Sequence, residues 1–119
     1  MILYPGKRYA VYNDKKIVFI GPGAMAEAMI YGLIRQKVAP AQALLAAGPR
    51  LERLEQLREH YGIAIELDNA TAARQADVVV LAVKPQRLEK VMAGLKDQIP
   101  AGALVISIIA GASIEQISS

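Results

Sequence analysis

Short apolar runs alternate with amphipathic stretches along the chain from Lys15 onward. The runs are rich in Val, Ile, Leu and Ala, which predicts buried strands, and the stretches between them carry apolar residues at helical spacing. The second run is weak by composition and is placed partly by the regular alternation. The predicted strands are Ile17–Ile20, Ala43–Ala47, Ile63–Glu66, Val78–Val83 and Ala103–Ile109. The predicted helices are Ala24–Lys37, Leu51–Tyr61, Ala70–Gln75 and Gln86–Gln98.

Strand–helix–strand alternation with short connections predicts a parallel sheet wound by right-handed crossovers, with helices on both faces. The run Val78–Val83 is apolar at every position, as expected of a central strand that is covered on both sides. Two helices carry a stripe at three-to-four spacing that we expect to face the sheet. The stripes are Leu51, Leu54, Leu57 and Arg58 in the second helix and Leu88, Val91, Met92 and Leu95 in the fourth.

Element boundaries are marked by residues with known local preferences. Lys84-Pro85 ends a strand and begins a helix, where the missing N–H of proline costs little. Asn69 and Ser113 stand where helix N-caps are useful. Residues 1–14 lie outside the alternation and could contain a turn and a short edge strand, so we predict an N-terminal extension over 1–14 and one domain over 15–119.

Composition narrows the class of protein. Of 119 residues, 54% are hydrophobic and 21% are charged, which is typical of a chain that folds around a core. The net charge is +3, and the basic and acidic residues are interleaved along the chain. Because the basic residues form no block, the sequence does not predict a nucleic-acid-binding surface. The uncharged stretch 99–114 is too short to span a bilayer, and residues 1–14 do not resemble a signal peptide. Cysteine is absent. We therefore expect a soluble cytoplasmic protein.

A glycine-rich loop joins the first predicted strand to the first predicted helix. Residues 21–26 read Gly-Pro-Gly-Ala-Met-Ala, which matches the pattern G-x-G-x-x-A of dinucleotide-binding proteins. In that pattern Gly21 allows a sharp turn, Gly23 lets a pyrophosphate approach the backbone, and Ala26 lets the helix pack close to the strand. An ordinary strand-to-helix turn is the alternative. The flanking strand and helix, and the alternation that follows, favour dinucleotide binding.

The end of the second predicted strand bears on the choice of cofactor. NAD-specific sites usually place an acidic residue there to hold the ribose hydroxyls, whereas this chain reads Ala-Ala-Gly-Pro-Arg at residues 46–50. Arg50 can bind a 2′-phosphate through its guanidinium, and Arg53 is close enough to share that role. The alternative is a solvated arginine in the first turn of the helix. The sequence therefore favours NADP(H) over NAD(H).

Several segments together resemble the pyrroline-5-carboxylate reductases. Residues 20–28 are similar to the family's opening I-G-A-G-N-M-A-E-A, with Pro22 as a departure. The similarity continues through residues 53–54, 62–63 and 68–70, then through A-D-V-V-V-L-A-V-K-P-Q at 76–86, and ends at V-I-S-I-I-A-G. The A-V-K-P-Q element is its most specific part.

This resemblance implies a Rossmann-type domain with a cofactor site at the carboxyl ends of the strands. It implies that Asn69 hydrogen-bonds the adenosine end, although Asn69 could instead only cap a helix, and that residues 82–85 and 109–111 line the nicotinamide side. No catalytic residue and no metal site are predicted, and His60 is expected on the exposed side of its helix. The predicted cofactor-binding residues are Ile20, Gly21, Pro22, Gly23, Ala24, Met25, Ala26, Gly48, Arg50, Asn69, Ala82, Val83, Lys84, Pro85, Ile109, Ala110 and Gly111.

The resemblance also implies an activity, the NAD(P)H-dependent reduction of the C=N bond of 1-pyrroline-5-carboxylate to proline. Family members add a helical domain that forms the oligomer and most of the imine pocket. Because the sequence ends at Ser119, we expect this chain to bind cofactor without turnover. Two alternatives stay open: a stand-alone NADP(H)-binding or regulatory module, and another reductase with a similar loop, such as a coenzyme F420-dependent NADP reductase or a β-hydroxyacid dehydrogenase. The A-V-K-P-Q element speaks against the second.

Overall fold

A computed structural model of the chain describes residues 15–108, and every strand and helix predicted in this range is present. The strands are β1 Ile17–Ile20, β2 Leu44–Ala47, β3 Ala64–Glu66, β4 Val78–Leu81 and β5 Leu104–Ser107. The helices are α1 Ala24–Arg35, α2 Leu51–Tyr61, α3 Asn69–Arg74 and α4 Pro85–Leu95, with a short 3-10 helix at Ala41–Ala43. Pro85 stands in the first turn of α4, as predicted.

The central strand of the five-stranded parallel sheet is β1, in the order β3-β2-β1-β4-β5. The chain runs from β1 outward through β2 to β3, and then returns to place β4 on the other side of β1. This confirms the predicted doubly wound α/β fold. Reversal of strand order leaves a crevice at the carboxyl ends of the two strands beside it, where open α/β sheets bind ligands. Here those strands are β1 and β4.

Helices cover both faces of the sheet and form two buried clusters. Ile30 of α1 and Leu57 of α2 belong to the cluster on one face, and Leu95 of α4 belongs to the cluster on the other. The neighbouring β4 side chains Val79 and Val80 are buried in different clusters, as expected of a strand covered on both sides. Burial of apolar surface on both faces is the main stabilising contribution to such a domain.

The predicted helix stripes are only partly buried. Leu54 and Leu57 are fully buried, but Leu51 is 46% exposed and Arg58 is also exposed, so the prediction is wrong for these two residues. Leu51 is the first residue of α2 and lies beside the carboxyl edge of the sheet. The sheet therefore offers little surface for its side chain to pack against. In α4 the stripe residue that is exposed and not buried against the sheet is Met92, which is 45% exposed.

Two helices end earlier than predicted. Lys37 and Asp97 both adopt positive φ angles, 58° and 65°, which cannot continue a right-handed helix. After α1 the Val38 N–H bonds to the Leu33 carbonyl, which closes the helix end. The predicted extensions to Lys37 and Gln98 are therefore wrong.

Three parts of the sequence interpretation fall outside the described residues: the extension 1–14, the N-cap at Ser113, and the site residues Ile109, Ala110 and Gly111. Within residues 15–108, no helix is both long enough and apolar enough to cross a membrane.

Candidate functional site

The carboxyl ends of the strands form one aligned row across the sheet. Strand pairing places Glu66, Ala47, Ile20, Leu81 and Ser107 side by side as the last residues of β3, β2, β1, β4 and β5. The predicted site residues within 15–108 belong to this row or to the segments that follow it. They therefore lie along one edge of the domain.

Gly21 is required by the fold itself. Its φ angle is +104°, a conformation that side chains rarely adopt. A Cβ atom here would stand 2.6 Å from the carbonyl oxygen of Ala82 and 2.9 Å from Cγ1 of Val83. The Gly21 N–H also donates to the Ala47 carbonyl oxygen at 3.0 Å. Gly21 thus holds the loop after β1 against the loop after β4, at the crevice between the two strands.

Gly23 is different, because nothing in the described structure requires a glycine there. Its φ and ψ angles, −90° and −167°, are open to any residue, and a Cβ atom would meet no other atom within 4 Å. Because neither the backbone conformation nor the packing requires a glycine here, the missing side chain leaves room for a bound molecule. Open space at this position is what the close approach of a pyrophosphate needs.

Backbone donors surround that open space. Gly23 is the N-cap of α1, and the N–H groups of Gly23, Ala24 and Met25 have no hydrogen-bond partner within residues 15–108. Such groups, together with the helix dipole, favour a bound anion. Ala24 and Met25 are exposed, whereas Ala26 is fully buried against the sheet, as its small size allows.

Gly48 is needed for a reason that the sequence did not reveal. A Cβ atom on Gly48 would stand 2.6 Å from Cδ of Pro22, so the proline ring occupies the space that a side chain would fill. Pro22 and Gly48 are both buried, and the Gly48 N–H donates to the Glu66 carbonyl oxygen at 3.2 Å. Contact between Pro22 and Gly48 therefore joins the glycine loop to the segment after β2.

This contact predicts a coupled pair of substitutions. Gly48→Ala should lower the free energy of unfolding by about 1–3 kcal/mol, because overpacking forces Pro22 to move. Pro22→Ala removes the ring atoms in conflict, so Gly48→Ala should cost measurably less in that background. Urea denaturation of the four proteins measures both effects. Gly94→Ala, at a helical glycine with open space, is the control and should not destabilise. An equal cost of Gly48→Ala in both backgrounds would show that Pro22 is not the obstacle.

Arg53 contacts the glycine loop from α2. Its Nε donates to the Pro22 carbonyl oxygen at 2.6 Å, and one terminal nitrogen lies 3.3 Å from the Gly23 carbonyl oxygen and 2.7 Å from a carboxylate oxygen of Glu27. The other carboxylate oxygen of Glu27 accepts from the Tyr61 hydroxyl at 2.7 Å. These hydrogen bonds, first from Tyr61 and then from Arg53, lower the pKa of Glu27, and the same bond raises the pKa of Tyr61.

The two arginines considered for phosphate binding are thus placed differently. Arg53 is already committed to the loop and to Glu27. Arg50 is the N-cap of α2 and is exposed, and its guanidinium forms no hydrogen bond or ion pair with any residue the structure describes. It follows Gly48 by two residues at the end of β2. Of these two arginines, Arg50 is therefore the one whose guanidinium is available for an added phosphate.

Asp68, and not Asn69, caps α3, so the interpretation of Asn69 as an N-cap is wrong. The Asp68 carboxylate accepts from the Thr71 hydroxyl at 2.6 Å and from the Thr71 N–H at 3.0 Å, and both bonds lower the pKa of Asp68. Asn69 is half-buried, and its Oδ1 is buried with no partner among the described residues. A buried oxygen without a donor is unfavourable, so this atom suits a donor from a bound molecule.

The segment after β4 forms the other wall of the crevice. Ala82 is buried, and its N–H donates to the Ile20 carbonyl oxygen at 2.8 Å. Ile20 itself is fully buried in the core. Val83 is half-buried beside Gly21, while Lys84 and Pro85 are exposed at the start of α4. The segment offers small and apolar surface next to the glycine loop.

His60 is exposed near the end of α2, as predicted, and its Nδ1 lies 2.9 Å from the Gln56 carbonyl oxygen of its own helix. No group of three or more His, Asp or Glu side chains that could hold a metal ion occurs in the described part of the chain. Sequence reasoning missed Glu27, Tyr61 and Asp68, because their partners lie in other elements or depend on the local turn.

Comparison with known proteins shows the family to which the chain belongs. The family described as "NADP oxidoreductase coenzyme F420-dependent" matches residues 16–111. The chain belongs to this family. Pyrroline-5-carboxylate reductase 1 of Bacillus subtilis is 37% identical over 102 residues, which covers 85% of this chain and 34% of that protein. The resemblance to the N-terminal part of pyrroline-5-carboxylate reductases is thereby confirmed.

Solved structures of pyrroline-5-carboxylate reductases share the fold. The Coxiella burnetii enzyme is 36% identical with a TM-score of 0.75, over 89% of this chain and 39% of that one. The Plasmodium falciparum pyrroline carboxylate reductase, solved with NADP bound, is 25% identical with a TM-score of 0.70, over 89% of this chain and 37% of that one. The chain thus spans about a third of the length of the relatives it matches.

Proposed function

We propose that residues 15–119 form the NADP(H)-binding domain of a pyrroline-5-carboxylate reductase. The contrast between the two loop glycines carries the proposal: Gly21 is required by the fold, whereas Gly23 leaves open space beside N–H groups without partners. The buried Asn69 oxygen on the same edge supports it, and so does the NADP-bound relative from Plasmodium falciparum. The residues present therefore fit a dinucleotide.

Each part of the cofactor has residues in this chain that would hold it. The diphosphate would lie against the N–H groups of residues 23–25. Arg50 would bind the 2′-phosphate, and Asn69 would accept a hydrogen bond from the adenosine end. Residues 82–85 would line the nicotinamide side together with residues 109–111.

When bound, the nicotinamide would supply the hydride that adds to the carbon of the C=N bond of 1-pyrroline-5-carboxylate, and with a proton on the nitrogen this gives proline. The role of this chain is to bind the dinucleotide through its loop and strand ends and to orient it along the crevice between β1 and β4. We assign no catalytic residue to it, because this role requires no proton transfer by the site residues.

Binding without turnover is the expected behaviour of the 119-residue chain. Calorimetric titration with NADPH should show saturable binding, and assays with NADPH and 1-pyrroline-5-carboxylate should show no measurable oxidation of NADPH. Absence of saturable binding at millimolar NADPH would contradict the proposed function. Robust turnover would contradict the expectation that the imine pocket is completed by residues outside this chain.

A second candidate function comes from the name of the matching family, coenzyme F420-dependent NADP oxidoreductases. Such an enzyme would use the same dinucleotide site and differ in its second substrate. The A-V-K-P-Q element at 82–86 and the Bacillus subtilis relative favour the imine. In a full-length protein that carries this domain, NADPH-dependent reduction of 1-pyrroline-5-carboxylate, set against hydride exchange between NADP and F420, distinguishes the two.

A further inference from the structure

Arg53 binds the glycine loop through two consecutive carbonyl groups. It donates to the carbonyl oxygens of Pro22 and Gly23, and the same guanidinium pairs with Glu27 at 2.7 Å. Only about a fifth of the Arg53 side chain is exposed, so these contacts are partly shielded from solvent. A planar guanidinium with several fixed donors suits three acceptors at once, which a lysine cannot reproduce.

Holding these carbonyls also sets the direction of the next N–H groups. In a planar trans peptide the C=O and the following N–H point in opposite directions. With the Pro22 and Gly23 oxygens held toward Arg53, the N–H groups of Gly23 and Ala24 face away from it. Both are donors without a partner in residues 15–108, beside the open space at Gly23.

We propose that Arg53 is a positioning residue that orients the glycine loop to bind the cofactor's diphosphate, and that it does not read the 2′-phosphate. The proposal rests on the proposed function and deepens it. Its second part is electrostatic: Glu27 lies in the first turn of α1, close to where an anion would bind, and Arg53 offsets that negative charge. Tyr61 holds the other carboxylate oxygen and keeps Glu27 turned toward Arg53.

The test compares Arg53→Ala and Arg53→Lys with a matched control, Arg58→Ala, which removes the same charge from an exposed position on the same helix. Binding of NADPH and NADH is measured by calorimetry, and folding by thermal melting. We expect Arg53→Ala to weaken both cofactors by the same factor, about tenfold or more, since one lost amide–phosphate hydrogen bond corresponds to about tenfold. Arg53→Lys should recover part of the loss, and Arg58→Ala should bind as the original chain does.

A readout without cofactor separates positioning from general stability. In ¹⁵N spectra of the free chain, Arg53→Ala should move the amide signals of Gly23 and Ala24 and leave that of Asn69 in place. Should Arg53→Ala prove unfolded, the same amide shifts and equal cofactor losses are expected, at smaller size, in Arg53→Lys and Tyr61→Phe.

Distinct results overturn distinct claims. Failure of the unsubstituted chain to bind either cofactor contradicts the proposed function. If the unsubstituted chain binds the cofactors and a folded Arg53→Ala binds them with unchanged affinity, only the positioning role is overturned. Selective loss of NADPH in Arg53→Ala would show that Arg53 reads the 2′-phosphate, and shifts spread evenly over all amides would show a structural role only.

Discussion

Gly23→Val should abolish dinucleotide binding while leaving the domain folded. The new side chain would project into space that no protein atom fills, so it should not disturb packing. It would block the approach of the diphosphate to the N–H groups around it, and losing two such hydrogen bonds corresponds to about a hundredfold or more in affinity. The extended backbone at Gly23 accepts any residue. Replacing the glycine N-cap costs about 1 kcal/mol, or a few degrees in Tm.

Gly32→Val is the matched control for this experiment. Gly32 also has open space around its Cβ position, but it lies in the body of α1, away from the strand ends. It should keep full affinity for NADPH and NADH by calorimetry. Gly21→Ala gives the opposite pattern, with a clear loss of stability, because Ala82 and Val83 fill the space. Full binding by Gly23→Val would mean that the diphosphate does not lie against this loop.

Arg50→Ala should weaken NADPH by about ten- to a hundredfold and leave NADH nearly unchanged. A charge-assisted hydrogen bond to a phosphate contributes about 1.5–3 kcal/mol in good geometry, which gives this range. Arg50 is exposed, so solvent and salt should bring the effect toward the lower end, and raising the salt concentration should erode the preference.

Calorimetric titration with both cofactors at two salt concentrations measures this selectivity. Arg58→Ala again removes one charge from the same helix without touching the strand ends, and should leave the ratio of affinities unchanged. Equal weakening of NADPH and NADH in Arg50→Ala would show that Arg50 supports the loop or stacks on adenine. It would then have no part in the choice between the two cofactors.

Most of the fold is readable from the sequence, because apolar alternation and the positions of glycine and proline report on local structure. α2 is predicted to the residue, since Tyr61 is followed by Gly62, which adopts the left-handed conformation that ends a helix. The predictions for α1 and α4 extend too far, because no glycine marks the end of either helix. Lys37 and Asp97 take that conformation without being glycine, so no residue type marks either helix end.

The candidate site was only partly predictable. The glycine loop and Arg50 are local features that follow a recognisable strand. The network of Arg53, Glu27 and Tyr61 joins residues up to 34 positions apart, and it depends on how α1 packs against α2. Contact of Pro22 with Gly48 likewise exists only once β1 and β2 are paired. Such relations are set by tertiary geometry, which no spacing rule along the chain expresses.

Amide chemical-shift mapping with NADPH tests the central claim most directly, because it reports both whether the chain binds the cofactor and where. The account predicts saturable shifts concentrated in residues 21–26, 48–50 and 82–85 and at Asn69, along the carboxyl edge of the sheet. Shifts concentrated elsewhere, such as the groove beside Met92 and Ile99 at the end of α4, would contradict it. So would a spectrum that does not change at millimolar NADPH.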